Sequence, residues 1–277
     1  MTKSKFENSG LRIGVVIIFF LAIVGAGGAW PDLSSGTGAA TDAEPQFTQD
    51  FRFDECKFKN KGQNPHFILL QGYQLFLEGT EDGETIQLLI TVLKDTESID
   101  VPGIGVVKTR VVEEREWIDG DLVEVSRNFF ALCGQTNDVV YFGEDVDICE
   151  DGLEPNGAGF TCNGGEPDHS GAWRAGSNGA KPGIIMPGTF LLGSRYFQEV
   201  APGVALDRAE HVEMGLTVDT LAGTFENCVK VEETTPLEPD ADPSVKIYCP
   251  GIGLVVDSAA ELVGVGRNIV DSDEVGD

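Results

Sequence analysis

His211-Val-Glu-Met-Gly-Leu-Thr-Val-Asp219, the break Leu221-Ala-Gly223 and Phe225-Glu-Asn-Cys-Val-Lys-Val-Glu232 decide how this chain is read. In the first run Val212, Met214, Leu216 and Val218 alternate with His211, Glu213, Gly215, Thr217 and Asp219. In the second, Phe225, Asn227, Val229 and Val231 alternate with Glu226, Cys228, Lys230 and Glu232. Successive side chains of a strand point to opposite faces, so a period of two marks a half-buried strand. A short Gly-containing break between two such runs marks a hairpin. The pair reads as an antiparallel hairpin with Met214 on the apolar face and His211 on the polar one.

The same signature extends outward. Ile86, Leu88, Ile90 and Val92 alternate within Thr85–Leu93, and further strands are expected at Tyr73–Glu78, Gly105–Trp117, Leu122–Leu132, Val139–Gly143, Arg195–Val200 and Val245–Tyr248. Glu81-Asp-Gly83, Asp119-Gly-Asp121 and Gln135-Thr-Asn-Asp138 punctuate them as turns. No segment keeps a 3.6-residue period for three turns without Gly or Pro interrupting. The expected fold is all-β: one strongly curved antiparallel sheet, a half-barrel or barrel-like meander, over residues 47–268. Pro102-Gly-Ile-Gly105 recurs as Pro250-Gly-Ile-Gly253, either a two-fold internal repeat or ordinary turn punctuation.

The 277 residues carry 46 Asp and Glu against 19 Lys and Arg, a formal charge of −27. That balance excludes a nucleic-acid partner, which needs a basic footprint. It also argues against docking on anionic lipid headgroups. Residues 1–29 read as a signal peptide: Lys3, Lys5 and Arg12, then the apolar run Ile13–Val24, then Gly25-Ala-Gly-Gly-Ala29 before Trp30. An uncleaved anchor is the alternative, although the run is short for a span. Cleavage would remove a net +2 and leave −29. Residues 30–46 read as a flexible linker and residues 269–277 as an acidic tail. The protein is expected to be secreted or periplasmic, with no membrane span after cleavage.

Six cysteines follow the signal segment, and an even count in an exported chain reads as disulfides. Six allow fifteen connectivities. Cys149 and Cys162 flank a Gly-rich loop and make the best local pair. Cys228 and Cys249 flank an acidic Pro-rich turn, but alternation sets Cys228 with Glu226 and Lys230 and Cys249 with Val245 and Ile247. A bridge between them requires a bulge, or another partner. Cys56 and Cys133 are the remainder.

Catalytic patterns are sparse. His66, His169 and His211 lack the spacing of a zinc site. No Ser sits in a G-x-S-x-G elbow. Asp145–Gly152 resembles a calcium loop in part, but Cys149 and Ala158 fall where ligands are needed, so an EF-hand is rejected and only a looser surface calcium site is left open. No metal and no cofactor are expected. The most unusual stretch is Ser170–Gly188, too Gly-rich for a strand interior, which carries Trp173, Arg174, Lys181 and Met186. With Tyr196 these are the candidate ligand-binding residues: Trp173 to stack on an apolar body, Arg174 or Lys181 to meet an anionic head. The bland alternative is a loop covering a sheet edge.

Val139-Val-Tyr-Phe-Gly-Glu-Asp145, Gly171-Ala-Trp-Arg-Ala-Gly176, Gly179-Ala-Lys-Pro-Gly-Ile-Ile-Met-Pro187, Tyr196-Phe-Gln-Glu199 and Lys246-Ile-Tyr-Cys-Pro-Gly-Ile-Gly253 resemble a widespread group of secreted bacterial proteins of unknown function. The resemblance runs from about Asn64 to Val256. It implies an exported β-rich domain and no established activity, so no catalytic residue is carried over. Pro155–Pro167 lengthens the loop before Trp173, Cys249 replaces a small residue, and His66 stands where an aromatic is usual. The longer loop and its flanking Cys149 and Cys162 look like a local addition, which favours their pairing.

The expected function is that of an exported, non-enzymatic envelope or extracellular protein binding an apolar or amphipathic ligand, a lipid or small apolar molecule, on a concave face. A structural or interaction protein with a filled β core is the first alternative, and a hydrolase using two carboxylates the second. The oligomeric state is left open.

Overall fold

The computed structural model describes residues 46–157 and 159–269. The expected signal peptide, nearly all of the linker and nearly all of the acidic tail lie outside them. Thirteen strands form one antiparallel sheet that curls until its ends meet. They are β1 (Tyr73–Glu81), β2 (Glu84–Val92), β3 (Arg110–Ile118), β4 (Asp121–Cys133), β5 (Val139–Ile148), β6 (Lys181–Met186), β7 (Arg195–Phe197), β8 (Glu199–Val200), β9 (Arg208–Thr220), β10 (Gly223–Thr234), β11 (Ser244–Cys249), β12 (Gly253–Asp257) and β13 (Ala260–Arg267). Around the sheet the order is β7-β9-β10-β11-β12-β13-β1-β2-β3-β4-β5-β6-β8. Only Gln198 separates β7 from β8, and these halves of one stretch pair with β9 and β6 respectively. The sheet therefore returns on itself at this stretch, although β9 is paired by β7 only over Arg208–Glu210. The fold is all-β and barrel-like, and no α-helix occurs among the described residues.

Local chemistry accounts for the turns. Asp82-Gly83 and Asp119-Gly120 are two-residue hairpin loops joining β1 to β2 and β3 to β4, the use such pairs favour. Leu262, Leu77 and Leu88 lie side by side across β13, β1 and β2 and are almost completely buried. Burying each contributes roughly 2 kcal/mol. The bridges are Cys56–Cys133, Cys149–Cys162 and Cys228–Cys249, with no free cysteine among the described residues.

Three expectations need correction. Gly105–Trp117 is not one strand. Gly105–Lys108 pairs with Ser98–Val101 as a separate hairpin, and β3 begins only at Arg110. There the Arg110 guanidinium donates to the carbonyls of Asn60 at 2.9 Å and Lys94 at 2.7 Å, holding the crossover. Second, Lys181–Met186 is a strand despite Pro182 and Gly183. A Cβ on Gly183 would lie 2.4 Å from the Gln198 carbonyl oxygen, so glycine permits the close approach that brings β6 to the closing stretch.

Third, the hairpin β9–β10 pairs as read, but its faces do not stay constant. His211 is buried and Met214 is 55% exposed. Register shifts along β9 break the alternation. Its distal half packs Leu216, Val218 and Phe225 against the core, and the Ala222 N–H donates to the Leu262 carbonyl at 3.1 Å. Val229 lies opposite Tyr248, so their neighbours Cys228 and Cys249 fall on one common face. The apolar look of Val245, Ile247 and Cys249 belongs to the face opposite Lys246 and Tyr248.

Candidate functional site

The barrel interior is apolar along β13, β1 and β2, and its acidic side chains come from β3, β4, β5, β8, β10 and β12 and from Asp207 before β9. β3 turns Val112, Glu114 and Glu116 inward, and β4 turns Glu124, Ser126, Asn128 and Phe130 inward. Glu116 lies opposite Glu124, and Glu114 opposite Ser126. On β5 a bulge falls between Tyr141 and Glu144, with Gly143 at φ +148°. Residues three apart on a regular strand face opposite sides; the bulge turns both inward. The Tyr141 hydroxyl then meets Asn128 Oδ1 at 2.6 Å and Glu144 Oε2 at 3.2 Å. Glu199, Asp207, Glu233 and Asp257 complete the acidic side. Lys246 reaches Glu233 at 3.4 Å and Asp257 at 3.3 Å.

These carboxyls outnumber their donors. Glu114 Oε2, Glu116 Oε1, Glu144 Oε1, Glu199 Oε2 and Asp207 Oδ1 are enclosed without a hydrogen-bond partner among the described residues. A carboxylate deprived of water and donors holds its proton. Burial first, then Lys246, Asp257 and Glu233 acting in opposing directions, leave Glu114 pushed up to about 7. Burial and the nearby Glu114 push Glu124 up to about 8. Burial, then Glu124 and Asp257, raise Glu116 well above the carboxylate range. Burial, reinforced by Glu124 and Glu114, does the same to Glu144. Glu199 accepts the Asp207 N–H at 2.5 Å, and burial plus mutual repulsion raises Glu199 strongly. Burial and Glu233 bring Asp207 to about 7. For Lys246 burial opposes the charge, but Asp257 and Glu233 outweigh it and hold the ammonium above its ordinary range.

One end of the interior opens as a slot. Phe67, Tyr73, Ile185 and Ile252, each partly exposed, form its rim, and Leu75, Ile90, Val92, Val112, Phe130, Tyr248 and Leu254 form its walls. Glu114 and Lys246 supply charged groups. The Tyr73 hydroxyl donates to the Ile252 carbonyl at 2.7 Å and ties two sides of the rim together. The cavity measures about 60 Å³. That admits a few waters or the end of a chain; drug-sized pockets run to roughly 300 Å³ and more.

The residues singled out from sequence do not gather there. Trp173, only 6% exposed, lies opposite Glu144 and presents its ring edge-on to Tyr141 at 5.0 Å. Met186 is buried opposite Val139. Tyr196 is buried, its hydroxyl 2.8 Å from His211 Nε2. His211 Nδ1 faces the Leu191 carbonyl at 3.1 Å, and Phe190 stacks on the ring at 3.8 Å. Burial lowers His211 to about 4, so it is a neutral clasp on the loop before β7. Arg174 lies 4.0 Å from the Phe129 ring centroid and pairs with Asp145 at 2.7 Å. Lys181 pairs with Asp50 at 3.2 Å beside an open groove walled by Phe51, Phe53, Pro102 and Ile104. Among the described residues no three His, Cys, Asp or Glu side chains are grouped to hold a metal.

Sequence reasoning passed over Glu114, Lys246 and their neighbours. A signal existed: Val112-Glu-Glu-Arg-Glu-Trp117 and Val245-Lys-Ile-Tyr248 set ionisable residues inside otherwise apolar strands. The chain matches no protein-family model, and neither the curated proteins nor the solved structures contain a match to it. Fold and site together define a disulfide-bridged, barrel-like β protein with a small amphipathic slot in one end. Among the described residues no helix is long and apolar enough to cross a membrane.

Proposed function

We propose that the protein is an exported, non-enzymatic binding protein whose barrel receives the end of an apolar or amphipathic ligand. The slot carries this reading: apolar walls lead from a partly exposed rim to two charged groups, Glu114 and Lys246. Such a site takes an aliphatic end inside while the rest of the molecule lies on the rim of Phe67, Ile185 and Ile252. Three disulfides are consistent with export to an oxidising compartment.

n-Hexanol is a suitable neutral probe. Six methylene-sized groups, partly buried, support a Kd on the order of 1 mM. Methyl NMR should show saturable shifts at Ile90, Val92 and Leu254. Ile90 lies directly opposite Glu114, so Ile90→Trp should fill the slot and remove those shifts. Equal titration of wild type and Ile90→Trp, or no saturable shift in the wild type, contradicts the reading.

The cavity's modest size favours one second reading. Phe130, Tyr141, Leu77 and Leu88 fill the barrel with the chain's own side chains, as in an interaction protein that uses its outer surface. Absence of slot binding would leave that reading in place.

A further inference from the structure

We infer that the slot selects a ligand whose buried end is a protonated amine, seated against the Glu114 carboxyl; this rests on the slot being the binding site. Charge balance and hydrogen-bond supply point the same way. Lys246, the cation of the slot, is already engaged by Glu233 at 3.4 Å and Asp257 at 3.3 Å. The Glu114 side chain makes no hydrogen bond or salt bridge among the described residues, feeling Lys246 only at longer range, and its Oε2 is enclosed. A ligand carboxylate would add negative charge beside Glu233, Asp257 and Glu114. A hydroxyl would donate once and bring no charge. An ammonium donates three times and balances the unpaired carboxylate. Ile90 and Val112 flank Glu114, and Val92, Phe130 and Leu254 complete an apolar wall for the methylenes behind that head.

The ionisable groups around Glu114 set the pH response. Lys246 on β11 favours its ionised form, whereas Asp257 on β12 and Glu233 on β10 oppose it. Glu116 follows on the same face of β3, and Glu124 and Glu144 lie on β4 and β5. With Glu114 pushed up to about 7, its ionised fraction rises about tenfold between pH 6 and pH 8. An alkylamine stays protonated across that range. Its affinity should therefore rise about tenfold, while that of a neutral alcohol stays level.

The experiment compares hexylamine, n-hexanol and hexanoate by methyl NMR titration of the full exported protein at pH 6 and pH 8. The expected result is hexylamine binding at pH 8 about tenfold tighter than n-hexanol, with the tenfold loss at pH 6 confined to the amine. Glu114→Gln should abolish both differences and keep n-hexanol binding. Should that variant fail to fold, the wild-type pH profile decides alone. Equal binding of amine and alcohol, or a preference for hexanoate, overturns the amine assignment and leaves the slot standing. No saturable binding of any six-carbon probe overturns the slot reading with it.

Discussion

Glu124→Gln should stabilise the protein at pH 8 and change little at pH 5. In the folded chain Glu124 faces Glu116 across β3 and β4, and burial with the nearby Glu114 raises it from 4.5 to about 8. Between those values the unfolded chain has released the proton and the folded chain still holds it. Folding then takes up a proton, so stability falls as pH rises through this window. At about 1.4 kcal/mol per pH unit, this group alone removes up to about 4 kcal/mol between pH 5 and pH 8. Glu124 keeps some contact with solvent, which makes that an upper limit. Glu114 and Asp207, both at about 7, add losses of the same sign that level off near neutrality. Urea unfolding with disulfides intact measures the effect. Wild type should lose stability from pH 5 to pH 8, and Glu124→Gln should lose less by a few kcal/mol at an unchanged m-value. Wild-type stability that is flat or rising over that range, or parallel curves for the two proteins, would refute the reasoning.

Other outcomes follow from closure and covalent ties. Gly183→Ala places a methyl 2.4 Å from the Gln198 carbonyl oxygen; the strand must shift, and thermal unfolding should show a loss of several kcal/mol, beyond the ~1 kcal/mol typical of point changes. Removing the Cys56–Cys133 pair, 77 residues apart, should cost about 4 kcal/mol, against about 3 for Cys149–Cys162, 13 apart; the order of urea midpoints of the two double-serine variants checks this. Intact mass of the protein from its exporting host should correspond to a chain beginning at or near Trp30, and retention of Met1 or Thr2 would favour an anchor.

Strands and turns were legible because period-two alternation and Asp-Gly pairs are local signals. The hairpin β9–β10 and the turns at Asp82-Gly83 and Asp119-Gly120 are of that kind. Which face is interior was less legible. On β11 the apolar Val245 and Ile247 suggest the inward face, yet Lys246 and Tyr248 line the slot, because Asp257 and Glu233 arrive from other strands to hold the ammonium. Nothing in the local pattern singles out Glu116, Glu124 and Glu144 among 46 acids; the β3–β4 register sets Glu116 against Glu124, and a bulge turns Glu144 to the same side. Ser170–Gly188 stood out for its composition, but its Gly183 serves close packing at β6 and its Trp173 fills space beside Tyr141. A binding slot made by seven or more strands has no contiguous sequence signature.

The most direct test of the binding claim is a crystal structure of the wild-type protein grown with hexylamine at pH 8, beside Ile90→Trp under the same conditions. Continuous density from the rim at Phe67 and Ile252 to the Glu114 carboxyl in the wild type, with none in the variant, is the expected result. A wild-type slot closed by its own side chains, or holding only water at saturating hexylamine and in a parallel crystal at saturating n-hexanol, would contradict it.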